Sequence, residues 1–309
     1  MSTLLITHPA CILHDMGPGH PEQPDRLNAI LDALDEPEFS ALQRSEAGLA
    51  TLEQIARCHP MDHIERILAA IPEQGLAAID ADTSACKDTG EAALRAAGAV
   101  IDAVDAVMTG KSRNAFCAIR PPGHHAEPAK VMGFCLFNNV AIGAEYAIEK
   151  YGLERVAIVD FDVHHGNGTQ AIAYDRPHLF YASTHQMPLY PGTGRANETG
   201  VANNIVNVPL EPMSGSGAFR RAYQEVIIPA LHAYRPDLLM VSAGFDAHHA
   251  DPLAQLMLTE DDYTWITGQL VGFSEECCGG RLVSALEGGY DLAALARSTA
   301  RHVKGLMAL

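Results

Sequence analysis

Two acids, two histidines and two glycines directly follow a short apolar run near the middle of the chain, between Val156 and Gly168. Apolar runs of this length that are rich in Val and Ile are typical of buried strands. Because alternate side chains of an extended chain share a face, Asp160, Asp162 and His164 can point the same way. Two carboxylates and an imidazole are costly to bury without a compensating charge, and a divalent cation is the simplest one. Two oxygens and one nitrogen would leave a coordination position open on zinc, as catalysis requires.

Polar residues of similar character follow three further apolar runs. Ala115–Ile119 leads into Arg-Pro-Pro-Gly-His-His, Leu238–Ser242 into Ala-Gly-Phe-Asp, and Leu282–Leu286 into Glu-Gly-Gly-Tyr. In open α/β sheets, ligand sites form beyond the carboxyl ends of the strands. One such run could arise by chance, but the four runs together predict that histidines, acids and a tyrosine gather at one edge of a sheet.

The best candidate metal ligands are Asp162, His164 and Asp246, since Asp246 ends its own strand run. Asp160 lies two residues before Asp162, on the same face of the strand, and could orient a histidine or bind a monovalent cation. A single Asp after a strand is equally typical of a turn or a helix cap. The Asp-x-Asp-x-His pattern together with a distant Gly-Phe-Asp is much more specific for a metal.

His124 and His125 are adjacent and follow a rigid Pro-Pro-Gly turn. A single His after a strand is usually structural, but a pair offers a proton acceptor and a partner near neutral pH. Asp160 and Asn167 could each orient one of them. A carboxylate raises the pKa of a histidine more than an amide does, so the histidine that faces Asn167 would be the better neutral base.

Tyr290 follows two glycines that would let the backbone turn sharply beside a metal. Its phenol could donate a hydrogen bond to an oxyanion there. Gly-Gly-Tyr by itself favours a structural tyrosine of the core or rim. The other strand ends are therefore what favours the catalytic interpretation.

The rest of the chain supplies the elements that would carry these residues. Apolar residues at helical spacing predict helices over Glu91–Met108, Asn138–Lys150 and Gly217–Tyr234. Further strand runs occur at Leu4–Ile6 and Leu179–Ala182. Strands that alternate with helices favour a parallel sheet covered on both faces.

Composition bounds the class of protein. The chain of 309 residues, 48% of them hydrophobic, can form one large α/β domain or two smaller ones. Its net charge of −17 disfavours nucleic-acid binding and would attract cationic substrates, although solubility alone also explains it. We expect no membrane contact and a cytoplasmic location, because there is no long apolar run and no export signal. The seven cysteines form no C-x-x-C motif, as is typical of free thiols in a reducing compartment.

Seven segments spread over nearly the whole chain carry recognisable motifs. They are His20–Leu27, Arg120–Glu127, Gly133–Asn139, Asp160–Gln170, Tyr190–Gly194, Ser242–Ala247 and Leu286–Tyr290. Together they resemble the histone deacetylase superfamily, and specifically its bacterial class II-like deacetylase and acetylpolyamine amidohydrolase branch. The resemblance implies an α/β chain with the arginase–deacetylase fold, a mostly parallel eight-stranded sheet with helices on both faces. It also implies that residues 1–309 form a single deacetylase domain.

The resemblance implies one catalytic zinc ion and a structural potassium ion. The implied zinc ligands are Asp162, His164 and Asp246. The implied potassium ligands are Asp160, Ser183 and Thr184, together with Asp162 and His164. A second potassium ion is implied at backbone carbonyls near Ala173, Arg176, Leu179 and Asn204.

The resemblance also assigns the proton carriers. Proton transfer centres on His125, which pairs with Asn167, while His124 pairs with Asp160. Tyr290 becomes the donor to the transition state. These assignments agree with those that parity and spacing suggest.

A substrate tunnel follows from the same resemblance. Phe134 and Tyr190 match the aromatic pair that sandwiches an acyl-lysine chain, and Leu253 matches the gatekeeper beside the tunnel. Arg26 matches the basic residue near the inner acetate channel. The remaining implied substrate-binding residues are Gly133, Gly288 and the rim residue Asp82.

Two of these positions depart from the family pattern. Tyr190 stands where many relatives carry Phe, which adds a hydroxyl to the tunnel wall. Leu253 stands where an acid is associated with acetylpolyamine selectivity in part of the family. This weakens a polyamine substrate without excluding it.

The predicted reaction is hydrolysis of an N-acyl amide, expected to be acetyl, of lysine or a related amine to a free amine and a carboxylate. The expected partner is thus an acylated lysine or an acylated small amine, and a homo-oligomer is left open. The alternatives are an acetylpolyamine or other small-molecule amidohydrolase, a dimanganese ureohydrolase, and a non-catalytic protein that binds acylated ligands. The tandem histidines and Gly-Gly-Tyr favour one metal, and no catalytic residue is missing.

Overall fold

A central sheet organises the computed structural model, which describes residues 2–308. The strands are β1 (Thr3–Thr7), β2 (Gln43–Glu46), β3 (Ala77–Ala78), β4 (Ser84–Ala85), β5 (Asn114–Cys117), β6 (Val156–Asp160), β7 (Leu179–Gln186), β8 (Ile205–Leu210), β9 (Leu238–Ala243) and β10 (Leu282–Leu286). Eight of them form one sheet in the order β2-β1-β5-β10-β9-β6-β7-β8. Every neighbouring pair in this sheet is parallel, whereas β3 and β4 form a separate antiparallel pair.

Helices connect the strands. They are α1 (Pro9–Leu13), α2 (Asp25–Leu34), α3 (Leu52–Ile55), α4 (Met61–Ala69), α5 (Thr89–Met108), α6 (Asn139–Tyr151), α7 (Asn167–Ala173), α8 (Ser216–Ala222), α9 (Ile228–Tyr234), α10 (Glu260–Cys277) and α11 (Leu292–Met307). A 3₁₀ turn covers Pro37–Phe39, and a π-helical segment, Tyr223–Ile227, joins α8 to α9. Among the described residues, none of these helices has the length and apolarity that a membrane span needs.

The helices cover both faces of the sheet, as the sequence predicts. On one face, Gly143 of α6 packs closely against β9 and α5, since an added Cβ would lie 2.5 Å from Val100 of α5 and 3.0 Å from Met240 of β9. On the other face, His302 of α11 contacts the hydroxyl of Ser284 in β10 at 2.9 Å. The central strands β5, β6, β9 and β10 are consequently buried along their whole length. Burial on both faces explains why these strands are continuous apolar runs in the sequence.

The predicted elements are present with two differences. The sheet is parallel throughout rather than mostly parallel. The single helix predicted over Gly217–Tyr234 is divided by the π-helical segment. Pro229 has no N–H to donate, and its ring would clash with the carbonyl of Glu225 in a regular α-helix. A π-helical turn at this place accommodates the ring without ending the helix.

The strand order determines where the chemistry gathers. The four strands that precede the polar motifs are β5, β10, β9 and β6, and they are consecutive neighbours in the sheet. Because all four are parallel, their carboxyl ends meet at one edge. The loops after them therefore converge, as expected for a ligand site of an open α/β sheet.

Candidate active site

Three side chains from two adjacent loops form a compact, buried cluster. One ligand atom from each of Asp162, His164 and Asp246 lies within 4.8 Å of the others. His164 Nδ1 is 3.1 Å from both Asp162 Oδ1 and Asp246 Oδ2. β6 ends at Asp160, so Asp162 and His164 lie just beyond the strand, on the loop that faces the end of β9. The structure thus brings together the three predicted metal ligands.

Backbone groups hold the two carboxylates in place. The N–H of Gly288 donates to Asp162 Oδ2 at 2.8 Å, and the N–H of Val163 donates to Asp246 Oδ1 at 2.9 Å. A Cβ at position 288 would lie 2.1 Å from Asp246 Oδ2. Glycine is therefore required at position 288, because only a residue without a side chain lets the backbone approach the carboxylates this closely. The resemblance assigns Gly288 to substrate binding.

The donor set of the cluster suits a zinc-like cation. Asp162 and Asp246 are both fully buried, and burial together with the charge of Asp162 raises the pKa of Asp246 to about 7. Two carboxylates that repel each other in a buried position are stabilised by a bound divalent cation. Two oxygens and one imidazole nitrogen at these separations match the ligands of catalytic zinc sites, which keep a further position open.

His124 is paired with a carboxylate beside this cluster. Its Nδ1 donates to Asp160 Oδ2 at 3.0 Å. Burial alone would lower the pKa of His124, but the charges of Asp160 and Asp162 raise it to about 10. His124 therefore carries a proton at neutral pH.

His125 has a neutral partner instead. Its Nδ1 donates to Asn167 Oδ1 at 2.8 Å, and the amide nitrogen of Asn167 donates to Glu127 Oε1 at 2.8 Å. Burial, followed by the charges of His124 and His164, lowers the pKa of His125 well below its usual value. With Nδ1 protonated, Nε2 is the nitrogen available to accept a proton. The division of roles predicted for the histidine pair thus has a geometric basis.

Tyr290 is positioned by its backbone and by an arginine. Its N–H donates to Asp251 Oδ2 at 2.7 Å, and the guanidinium of Arg26 lies 4.8 Å from the centre of its ring. The guanidinium of Arg26 is itself held in place, because it donates hydrogen bonds of 2.6 Å to the backbone carbonyls of Gly289 and Glu287. Burial raises the pKa of Tyr290 well above its usual value, so its phenol remains a donor.

A cavity of about 220 Å³ connects these groups to the surface. It is lined by Asp82, His125, Gly133, Phe134, His164, Leu189, Tyr190, Leu253 and Tyr290. The ring of Tyr190 meets that of His125 edge to face, with centroids 5.2 Å apart. Of the residues that the resemblance places at the tunnel, Asp82, Gly133, Phe134, Tyr190 and Leu253 line this cavity, whereas Gly288 and Arg26 do not. Leu189 is an addition that the sequence did not indicate.

Similarity to known proteins identifies the family to which this chain belongs. The profile of the histone deacetylase domain matches residues 20–306. This chain belongs to the histone deacetylase family. It is 42% identical to Histone deacetylase 10, chloroplastic, of Oryza sativa subsp. japonica, over 91% of this chain and 68% of that protein. It is 40% identical to the Histone deacetylase-like amidohydrolase of Pseudomonas aeruginosa, over 88% of this chain and 73% of that protein.

The fold agrees with that of a solved family member. The crystal structure of the HDA15 HD domain superposes with a TM-score of 0.94 and 35% sequence identity, over 99% of this chain and 88% of that chain. The protein therefore has the arginase–deacetylase fold that the motifs imply.

The rim acid of this histone deacetylase domain is already engaged. Asp82 Oδ1 accepts hydrogen bonds from the N–H of Gly133 at 3.2 Å and from the hydroxyl of Thr83 at 2.9 Å. Gly133 has a φ of 58°, and a Cβ there would lie 2.4 Å from the ring of His125. Asp82 and Gly133 thus shape the tunnel wall around His125.

The residues implied for potassium binding are buried next to the predicted zinc ligands. Asp160 pairs in register with Ser183 across β6 and β7. The hydroxyl of Ser183 contacts His185 Nδ1 at 2.9 Å, and that of Thr184 contacts the Tyr223 hydroxyl at 3.3 Å. Potassium binding by this group stays a prediction.

The backbone carbonyls implied for a second potassium ion accept hydrogen bonds from a side chain of the protein. The side-chain nitrogen of Asn204 lies 2.8 Å from the carbonyl oxygen of Ala173, 3.2 Å from that of Arg176 and 2.9 Å from that of Leu179. A side-chain amide therefore lies where these carbonyls converge.

Three acids that organise the site were not singled out from the sequence. Glu127 holds Asn167, and Asp251 holds Tyr290. Glu287 accepts from the N–H groups of Gly123 and His124 at 2.7 and 3.1 Å and so fixes the histidine loop. All three lie inside or beside the recognised motifs, and this position is the only signal that could have indicated them.

Proposed function

We propose that the protein is a zinc-dependent deacylase that hydrolyses an N-acyl amide of lysine or a related amine to a free amine and a carboxylate. The observation that carries the proposal is that a single cavity brings together His164 of the ligand triad, His125 and Tyr290. The names of related proteins, which include deacetylases and an amidohydrolase, support hydrolysis of an amide.

The tunnel determines how a substrate enters. Phe134 and Tyr190 present aromatic surface to an aliphatic chain, and Leu253 adds apolar surface. A narrow, largely apolar tunnel favours an extended acyl-lysine chain that delivers its amide to the inner end. Burying this chain also excludes water that does not take part in the reaction.

The ligand triad is the metal site of this proposal. A zinc ion held by Asp162, His164 and Asp246 would act as a Lewis acid for the amide carbonyl and would lower the pKa of a water molecule. The rest of the mechanism depends on the residues around the triad.

His125 moves the protons. Its neutral imidazole accepts the proton of the attacking water at Nε2, because Asn167 keeps the other proton on Nδ1. The imidazolium that results then donates its proton to the nitrogen of the leaving amine. The charge on His124 favours this return, since it keeps the pKa of His125 low.

Tyr290 stabilises the oxyanion that develops on the carbonyl oxygen. Its phenol stays protonated, and its backbone is held by Asp251, so the donor is in place before the reaction. A donor that needs no reorganisation contributes most to such a step.

The substrate class is tested by comparing kcat/KM for acetyl-lysine peptides, N-acetylated polyamines and lysine peptides with longer acyl chains, using zinc-loaded protein. We expect the peptides with an acetyl group to be the best substrates, because Leu253 offers no carboxylate to a second amine. Polyamine turnover that exceeds peptide turnover would assign the chain to the small-molecule branch. Negligible rates on all three classes would refute the proposal.

A further inference from the structure

A second cluster of metal-binding side chains lies outside the tunnel. It consists of His232, Glu276 and Cys277, and one donor atom from each lies within 4.8 Å of the others. Cys277 Sγ is 3.6 Å from His232 Nδ1. His232 and Glu276 are exposed, and Cys277 is partly exposed, so a solvated cation can reach all three. Neither the motifs of the sequence nor the reaction uses any of these residues.

The separation of sulfur and nitrogen equals that of two ligands on one zinc ion. With bonds of ~2.3 Å to sulfur and ~2.0 Å to nitrogen, a tetrahedral zinc holds the two atoms roughly 3.5–3.6 Å apart. A hydrogen bond from the thiol to the imidazole would give the same distance. The position of Glu276 distinguishes the two cases. A hydrogen bond between the thiol and the imidazole requires no third group, whereas a metal site requires a further ligand, which the carboxylate of Glu276 supplies.

Two helix ends converge on the cluster. His232 lies in the last turn of α9, while Glu276 and Cys277 lie in the last turn of α10. The carbonyl end of a helix carries about half a negative charge, which favours a cation at both places. The ring of His232 is fixed by an edge-to-face contact with Phe273, with centroids 5.0 Å apart. This contact orients the imidazole before any metal binds.

We propose that His232, Glu276 and Cys277 form a second site for a zinc-class divalent cation. One thiolate, one imidazole and one carboxylate are the ligand types that zinc accepts, whereas magnesium and calcium prefer oxygen alone. Three protein ligands leave one position for water. The site joins the ends of two helices that are otherwise separate in the chain.

The cluster lies at the opposite edge of the sheet from the tunnel. α9 and α10 run into the amino ends of β9 and β10, whereas the catalytic loops follow the carboxyl ends. The six residues of β9 separate the two edges by roughly 20 Å, at ~3.3 Å per residue. The second cation is thus structural, and its loss leaves kcat and KM unchanged.

Cobalt is the most specific probe, because Co²⁺ bound to a thiolate absorbs in the near ultraviolet by charge transfer from sulfur. The buried triad contains no sulfur, so it cannot produce this band. Metal-free protein titrated with Co²⁺ should show the band, and so should Asp246→Asn. Cys277→Ser should lose it. Cys86→Ser is the matched control, since Cys86 is also partly exposed, and it should keep the band.

Zinc stoichiometry provides a second measurement. Equilibrium dialysis should give one zinc fewer per chain for Cys277→Ser and for His232→Ala than for the unaltered protein. A band that is absent from the unaltered protein, or unchanged in Cys277→Ser, would refute the site. A band that persists in His232→Ala would reveal adventitious binding by a thiol alone and would also refute it. None of these readouts depends on activity, so the site can fail while the proposed reaction stands.

Discussion

At the scale of residues, two adjacent imidazoles have opposite protonation states. The carboxylate of Asp160 keeps a proton on His124, and the charge on His124 then helps to keep His125 neutral. Replacing the partner of either histidine would change both pKa values. The pair therefore works as a unit, in which Asp160 orients His124 and Asn167 orients His125.

Glu127 is expected to act as a positioning residue for this unit. It accepts the amide hydrogen of Asn167, which orients the amide oxygen towards His125. Glu127→Ala should lower kcat by about tenfold, a fraction of the 10²–10⁴ that a positioned base contributes. KM should be unchanged, and the acidic limb of the pH–kcat profile should move.

Glu127→Gln is the matched control, because its amide oxygen can still accept this hydrogen bond. We expect it to restore most of kcat. If Ala and Gln variants were equally impaired, the charge of Glu127 rather than its hydrogen bond would matter. If neither variant changed the pH profile, the positioning role would be wrong.

Tyr290→Phe tests the oxyanion donor. Removing one such donor typically lowers kcat by about 10²–10³. The variant should retain its full zinc content, because the phenol is not one of the predicted ligands. Steady-state kinetics and metal analysis of the same sample check this expectation. Near-normal turnover would remove Tyr290 from the mechanism.

At the scale of elements, the sequence predicts what lies on strands and at their ends. The triad could be predicted because its members follow apolar runs whose carboxyl ends meet. β2 could not, since its residues are all exposed and carry no apolar pattern. The roles of Glu127, Asp251 and Glu287 depend on how separate loops meet, and no local pattern encodes that. The division of the helix before Tyr234 depends on Pro229, which the predicted helical spacing overlooked.

His302 links three elements and gives the fold a pH dependence. Its Nδ1 contacts the Thr267 hydroxyl of α10 at 2.6 Å, and its Nε2 contacts the Ser284 hydroxyl of β10 at 2.9 Å. Burial lowers the pKa of His302 to about 3. In the unfolded chain a histidine titrates near 6.5, so below that pH the unfolded state binds an additional proton. Stability is therefore present above pH ~6.5 and is lost as the pH falls towards the folded pKa.

His302→Gln should reduce this loss. One such group lowers the free energy of unfolding by about 1.4 kcal/mol per pH unit, or roughly 2 kcal/mol between pH 6.5 and 5. Urea unfolding at pH 7 and pH 5 gives the free energy of unfolding at each pH. The decrease in this free energy between pH 7 and pH 5 should be smaller in the variant than in the unaltered protein by about that amount. The exposed His249→Gln serves as the control. An unchanged difference in His302→Gln would contradict the assignment.

At the scale of the whole molecule, the acidic charge bears on substrate capture. The net charge is −17, and burial together with the charges of Asp82 and Asp80 raises the pKa of Tyr190 at the tunnel mouth. Carboxylates at the entrance of a cavity steer cations towards it. Among acyl-lysine peptides, we therefore expect a preference for those that carry further positive charge.

Peptide charge and salt test this steering. Acetyl-lysine peptides flanked by Arg or Lys should have kcat/KM values roughly tenfold above those flanked by Asp or Glu at low salt. The ratio should shrink as ionic strength rises, because salt screens exposed charges beyond roughly 10 Å. Asp80→Asn should weaken the preference. A ratio independent of salt would assign the selectivity to direct contacts instead.

The central claim is that one zinc ion on the buried triad makes this chain an amide hydrolase. It is tested most directly by titrating metal-free Cys277→Ser protein, in which only the triad is expected to bind zinc, and measuring acetate release from an acetyl-lysine peptide. Activity should rise in proportion to zinc and reach its plateau at one zinc per chain, while Asp246→Asn stays inactive. Full zinc occupancy without hydrolysis, or activity that requires two manganese ions per chain, would contradict the claim.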